Sequence, residues 1–164
     1  DYPNRALYYG WGPHQRAYGP DAGMLPMMNE PEDSWPTDRM MGGVWTVFPH
    51  VSIASFDGGG RSVMLSQLFP GSEPGESFTV QNFLVDRELT DVQREAATAQ
   101  FSFLEHVVRD EDYATGLRQQ QALEAGSKEY VLFGRNEAGG QRFHQWVETL
   151  INTGDEELPG LFSA

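Results

Sequence analysis

At Thr90 the chain changes its hydrophobic period, and that switch limits its possible folds more than any other feature. Before it, apolar and β-branched residues come in short runs broken by Gly, Pro and acidic turns. After it, they recur every three to four residues, the spacing of one helix face. "RALYYGW" at 5–11 reads as a strand, followed by "GPHQRAYGP" with Gly-Pro punctuation at both ends. "VWTVFPHVSIASF" at 44–56 reads as a second, with Pro49 interrupting it or marking a bulge. "RSVMLSQLF" at 61–69 and "SFTVQNFLV" at 77–85 follow, across turns at "DGGG" (57–60) and "PGSEPGE" (70–76). The last three strands make an antiparallel meander.

Thr90 and Gln93 form a T-x-x-Q capping box for a helix that starts near Asp91. Val92, Ala96, Ala99, Phe103 and Val107 make one stripe, and Phe101, Leu104 and Val108 another. The pattern continues through 109–125 and stops at Gly126, with Gly116 a weak point in the middle. "EYVLFG" at 129–134 reads as a short strand. Phe143, Trp146, Val147, Leu150 and Ile151 define the face of a final helix. Residues 152–164 are an acidic tail. The expected class is α+β: an antiparallel sheet packed against a long helix and a C-terminal helix.

With 164 residues, 39% of them apolar, the chain suffices for one domain and one core. Its formal charge of −13 repels phosphate backbones and anionic surfaces, so neither nucleic acid nor membrane is an expected partner. No apolar run nears the roughly 20 residues a span requires. With no cysteine, disulfides, Cys-bound metals and a Cys nucleophile are excluded, which fits a cytoplasmic protein. Residues 1–20 are unlike a signal peptide. The chain enters its first strand almost at once and without an initiator Met, which reads as a piece of a longer protein. Residues 19–43 hold five of the six methionines among several Pro and Gly, a long loop whose Met cluster packs on the core or lines an apolar pocket.

The segment "VVRDEDYATG" at 107–116 sets three acids against the helix stripe. Leu104, Val108 and Asp112 are four apart and share one face of a regular α-helix. Asp112 then projects where Leu104 and Val108 are buried, and a buried carboxylate needs an arginine or a cation beside it. Arg109 and Arg118 are the structural partners in reach. The alternative is that the helix surface is solvated here and the acids face water.

"VVRDEDYATGLRQQQALEAG" resembles the segment of Rieske-type ring-hydroxylating oxygenase alpha subunits that carries a "V-x-x-E-D" pattern. "YVLFGRNEAGGQRFHQWVETLI" is similar to that family's C-terminal "G-R-N-E…F-H" stretch. "VWTVFPHVSI" is similar to its "FPN-x-S" strand, with His50 in place of Asn. "QLFPGSEPGESF" and "YYGWGPHQRAYGP" resemble the strand and turn segments around it. The matches keep their order across nearly the whole chain. The resemblance implies that residues 1–164 are the C-terminal portion of the catalytic domain, in a helix-grip, START-like fold with a cavity between sheet and helix. It implies that Asp112 is the carboxylate ligand of a mononuclear non-haem Fe(II), with Glu111 and Gln120 supporting it. It places Val47, Phe48, His50, Val51, Ile53, Phe101 and Leu104 along a pocket for an apolar, often aromatic substrate. It further implies a Rieske [2Fe-2S] centre on a missing N-terminal domain, ferredoxin or reductase electron donors, and a homotrimer or α3β3 assembly.

The family's closely spaced His pair is absent. His14, His50, His106 and His144 are far apart, and none forms an H-x3–5-H pair. The cluster's Cys and His ligands are absent too, so the segment alone is expected to be inactive. His14 reads as a turn residue, His50 as a strand residue after Pro49 that could face the cavity or point away from it, and His144 as a surface or packing residue. His106 and Asp110, at i and i+4, could hold a metal weakly, against the simpler reading of a solvated helical histidine. There is no G-x-S-x-G elbow, P-loop or G-x-G-x-x-G. The competing reading is a non-catalytic helix-grip domain that binds a hydrophobic small molecule.

Overall fold

A computed structural model of the chain describes residues 6–19, 23–36, 42–57, 61–126 and 130–162. Six strands occur in chain order: β1 (Leu7–Trp11), β2 (His14–Tyr18), β3 (Gly43–Val47), β4 (Val51–Asp57), β5 (Arg61–Pro70) and β6 (Ser77–Val85). Helices α1 (Asp91–Val107), α2 (Ala114–Glu124) and α3 (Ala138–Ile151) follow, and a π-helical segment, Val108–Tyr113, separates α1 from α2. The chain is therefore α+β, as its pattern indicates. It divides into two compact units, Asp1–Ser55 with Phe133–Ala164, and Phe56–Leu132.

In the first unit, "GPHQRAYGP" is not merely punctuation. Gly12 (φ 50°) and Pro13 make a two-residue hairpin loop, and His14–Tyr18 returns as β2 with Trp11 opposite His14. A Gly at positive φ followed by a second loop residue at negative φ is the mark of the II′ hairpin, whose twist suits the flanking strands. β2 pairs with β3 and β3 with β4, all antiparallel. The apolar run 44–56 is thus two strands rather than one, turning at Phe48–His50 through a cis Phe48–Pro49 bond.

Register places Tyr9, Arg16, Trp45 and Ile53 in one cross-strand row. Arg16 is buried there, at 5% exposure, with its guanidinium 4.7 Å from the Trp45 ring and 5.0 Å from that of Tyr18. Its Nη2 and Nε donate to the Gly42 carbonyl at 2.6 and 3.2 Å. Aromatic faces and a carbonyl replace part of the water a buried cation loses, while burial itself lowers the pKa of the group.

α3 packs on the same unit. Phe143 meets Phe48 at 5.1 Å, Trp146 stacks on Phe162 at 6.0 Å, and Arg142 donates to the Gly12 carbonyl. Gly10 allows this approach, because a Cβ there would collide with the Arg142 guanidinium. Of the predicted helix face, Phe143, Trp146, Val147 and Leu150 are half-buried, whereas Ile151, at the helix end, is exposed. The tail is more ordered than its acidity suggests, since Leu158–Phe162 forms a 3-10 turn that brings Phe162 to Trp146. Met24 is fully buried, so this member of the Met-rich loop packs rather than lining a pocket; Met40 and Met41 lie outside the described residues.

In the second unit, β5 and β6 form a hairpin with Ser62 opposite Val85 and Pro70 opposite Ser77. The 57–60 turn lies largely outside the described residues, whereas the 70–76 turn closes through Gly71 N–H to Glu76 O at 2.8 Å. One face of the hairpin carries Met64, Ser66, Gln81 and Phe83, and α1 covers it. Phe101 stacks on Phe83 at 4.4 Å, and Ala97 is buried. Gln81 Nε2 donates to Ser66 Oγ at 3.3 Å and Met64 Sδ at 3.4 Å, which pairs the Gln81 amide under the helix, whereas Gln100 Oε1 of α1 is buried without a hydrogen-bond partner among the described residues. Both arms of the Thr90–Gln93 capping box are made, and Gly126 ends the helix at φ 64°. The expected strand at 129–134 is a correction. Residues 130–134 are exposed and join no ladder among the described residues. A short apolar run becomes a strand only when a neighbour takes up its backbone hydrogen bonds.

Three substitutions test this packing and capping. Gly43 has φ 105°, and a Cβ there would collide with the Ala17 carbonyl oxygen. Gly43→Ala should destabilise the protein by about 2 kcal/mol or more, whereas Gly19→Ala, with nothing within 4 Å, should be near neutral in urea unfolding. Thr90→Ala should lower stability by about 1 kcal/mol through loss of the cap, read as a reduced urea midpoint at unchanged slope.

Candidate functional site

The long helix does not run straight through the acidic stretch. Val108–Tyr113 is π-helical, each hydrogen bond closing over five residues instead of four. One extra residue in a turn displaces everything beyond it by about 100°, the rotation per residue of an α-helix. The four-residue spacing of Leu104, Val108 and Asp112 then no longer marks a common face. Leu104 and Val108 are half-buried, and Asp112 is exposed. The expected inward projection of Asp112 is thereby corrected, because it assumed an unbroken α-helix.

The three acids of Asp110-Glu111-Asp112 are not equivalent. Arg109 grips both carboxylate oxygens of Asp110, Nε to Oδ1 at 2.9 Å and Nη2 to Oδ2 at 3.1 Å. His106 Nδ1 lies 2.6 Å from the same Oδ2, one turn back. The Arg109 hydrogen bonds, with the charge of Arg109 and a contribution from His106, hold the Asp110 carboxyl below its ordinary pKa. With both oxygens engaged, Asp110 is a poor metal ligand, and the His106–Asp110 pair is a polar contact one turn apart on the exposed helix surface. Glu111 and Asp112 make no side-chain hydrogen bond or ion pair among the described residues. Next along, Tyr113 Oη donates to Thr79 Oγ1 of β6 at 2.6 Å. Gln120 donates to Glu124, a turn further on, at 3.0 Å, and lies against the Gly75 turn. No group of three His, Asp or Glu side chains converges into a metal site among the described residues.

The first unit carries a separate feature, a shallow apolar groove of about 290 Å³ lined by Trp11, His14, Gln15, Trp45, Thr46 and Val47. Trp11 and Trp45 are stacked at 6.1 Å, and Trp11 is 51% exposed. His14 Nδ1 accepts the Phe48 N–H at 3.2 Å, which leaves Nε2 as the ring's donor. Of the predicted pocket residues only Val47 lines this groove. Phe48 is buried against Phe143, Phe101 is stacked on Phe83, Val51, Ile53 and Leu104 are half-buried, and His50 is exposed. The groove's other lining residues, Trp11, His14, Gln15, Trp45 and Thr46, carry no linear motif. The signal that finds them is the Gly-Pro hairpin, which makes His14 the partner of Trp11 and begins the pairing that sets Arg16 beside Trp45.

A family model described as ring hydroxylating alpha subunit (catalytic domain) matches residues 1–153. The chain belongs to this family. No curated protein and no solved structure matches it. The assignment makes the chain a member of an oxygenase family known for non-haem iron and a Rieske cluster, oligomeric and served by electron-transfer partners. Among the described residues no helix is long and apolar enough to cross a membrane.

Arg109→Ala tests the electrostatics of the segment. Without the guanidinium the Asp110 carboxyl should titrate at a higher pH than in the parent, followed by carboxyl NMR; an unchanged midpoint would refute the pairing.

Proposed function

We propose that the chain is the carboxylate-bearing part of an oxygenase that inserts O2-derived oxygen into an apolar, aromatic substrate. The observation that carries this reading is the unneutralised Glu111-Asp112 pair on a π turn, in a chain matched to the family over residues 1–153. π turns are rare and concentrate at functional sites. Fe(II) accepts a carboxylate together with two imidazoles and keeps positions open for O2 beside the substrate.

The described residues do not assemble that site by themselves. Their donor set offers no converging histidines, and Glu111 and Asp112 are among several exposed carboxylates without a side-chain partner, Asp155, Glu156 and Glu157 being others. Asp112 would provide the carboxylate, and the two imidazoles would come from elsewhere in the full-length protein. Glu111 and Gln120 would act on the orientation of Asp112 rather than as ligands. Substrate would contact Val47, Phe48, His50, Val51, Ile53, Phe101 and Leu104, with electrons arriving from a Rieske centre on another domain, supplied in turn by a ferredoxin or reductase. A homotrimer or α3β3 assembly and a cytoplasmic location complete the proposal.

The Trp11–Trp45 groove favours a second reading, a non-catalytic domain that holds a hydrophobic small molecule against stacked indoles. Asp112→Ala in the full-length protein separates the two. Under the first, iron content falls to background and turnover drops by at least about a hundredfold, with the circular dichroism spectrum unchanged. Iron content equal to the parent's would leave only the second.

A further inference from the structure

The π register and the Tyr113–Thr79 hydrogen bond are two views of one state. Tyr113 is the last residue of the π segment, and Thr79 lies 34 positions away on β6, in the strand face that α1 covers. The polar contacts of the segment, Arg109–Asp110, Arg109–Glu105 and His106–Asp110, stay within the helix. They would survive a local change of phase. The Tyr113 hydroxyl contact would not: relaxation of the π turn to α rotates residue 113 by about 100° relative to α1 and carries it off Thr79. Just beyond lies Gly116, a weak helix former with open space where a Cβ would stand. The downstream helix therefore has little of its own near this point to resist rotation.

We infer that Tyr113 is a positioning residue, whose hydroxyl, held by Thr79, latches the widened turn and so sets the direction of the Glu111-Asp112 carboxylates. The importance of that direction for turnover rests on the proposed function; the latch itself does not. Tyr113 touches neither substrate nor cofactor in this scheme, and its effect passes through the phase of the helix.

The test uses the full-length protein with Tyr113→Phe, Thr79→Val and Thr79→Ser. Amide hydrogen exchange over residues 108–116 should quicken about fivefold in the first two, the scale of one net hydrogen bond, and remain at the parent rate in Thr79→Ser. The double variant Tyr113→Phe with Thr79→Val should be no faster than either single, since each removes the same bond. A thiol placed by Glu111→Cys, its labelling followed on the peptide that contains residue 111, reports direction, and that labelling rate should change when Tyr113→Phe is added. Unchanged exchange in both single variants, or strictly additive effects, would overturn the latch. Faster exchange and altered labelling with iron content and kcat equal to the parent's would uphold the latch and instead remove Asp112 from the proposed function.

Discussion

The seating of α1 on the β5–β6 hairpin is the interaction from which the carboxylate segment takes its geometry. Phe101 on Phe83, with the small, buried Ala97 a turn away, lets the helix approach the strands closely. Burial of aromatic surface holds the two elements together. The capping box at Thr90 fixes where the helix begins, so the phase of every later side chain is counted from there. Once that face is committed, the acids near residue 110 fall on the apolar stripe unless the count changes. The π turn changes it. It adds a residue to one turn, lets Leu104 and Val108 stay half-buried, and moves Asp112 into water.

Charge is then sorted within five residues. Asp110 is neutralised locally by Arg109 and flanked by His106, while Glu111 and Asp112 keep their charge unpaired. Successive residues of a helix do not face each other, so each of the two exposed carboxylates is solvated on its own. The family assignment rests on the match over residues 1–153, and the local geometry leaves Glu111 and Asp112 exposed and without a side-chain partner among the described residues.

The first unit solves a different problem, that of a cation under a sheet. Arg16 is enclosed by aromatic rings from three strands and by the Gly42 carbonyl, and this row ties β1, β2 and β3 together. Beside it Trp11 stacks on Trp45 and stays half open to solvent. The groove along these indoles is a by-product of hairpin register, which is why no linear motif marks it.

Local signals in the sequence were enough for the helix start at Thr90, its stop at Gly126, the break at Pro49, the face of α3 and the α+β class, because each depends on residues a few positions apart. The ordered family segments were legible for the same reason. Three features depended on distant partners. β2 became a strand because Trp11 and Trp45 lay on either side of it. Residues 130–134 did not, for want of a neighbour. The π turn has no compositional mark, since its register brings Tyr113 to Thr79 across 34 residues. The identity of the acids at 110–112 was thus written in the chain, whereas their direction was decided by tertiary structure, because a side chain's direction depends on accumulated helix phase and on what the distant strand offers it.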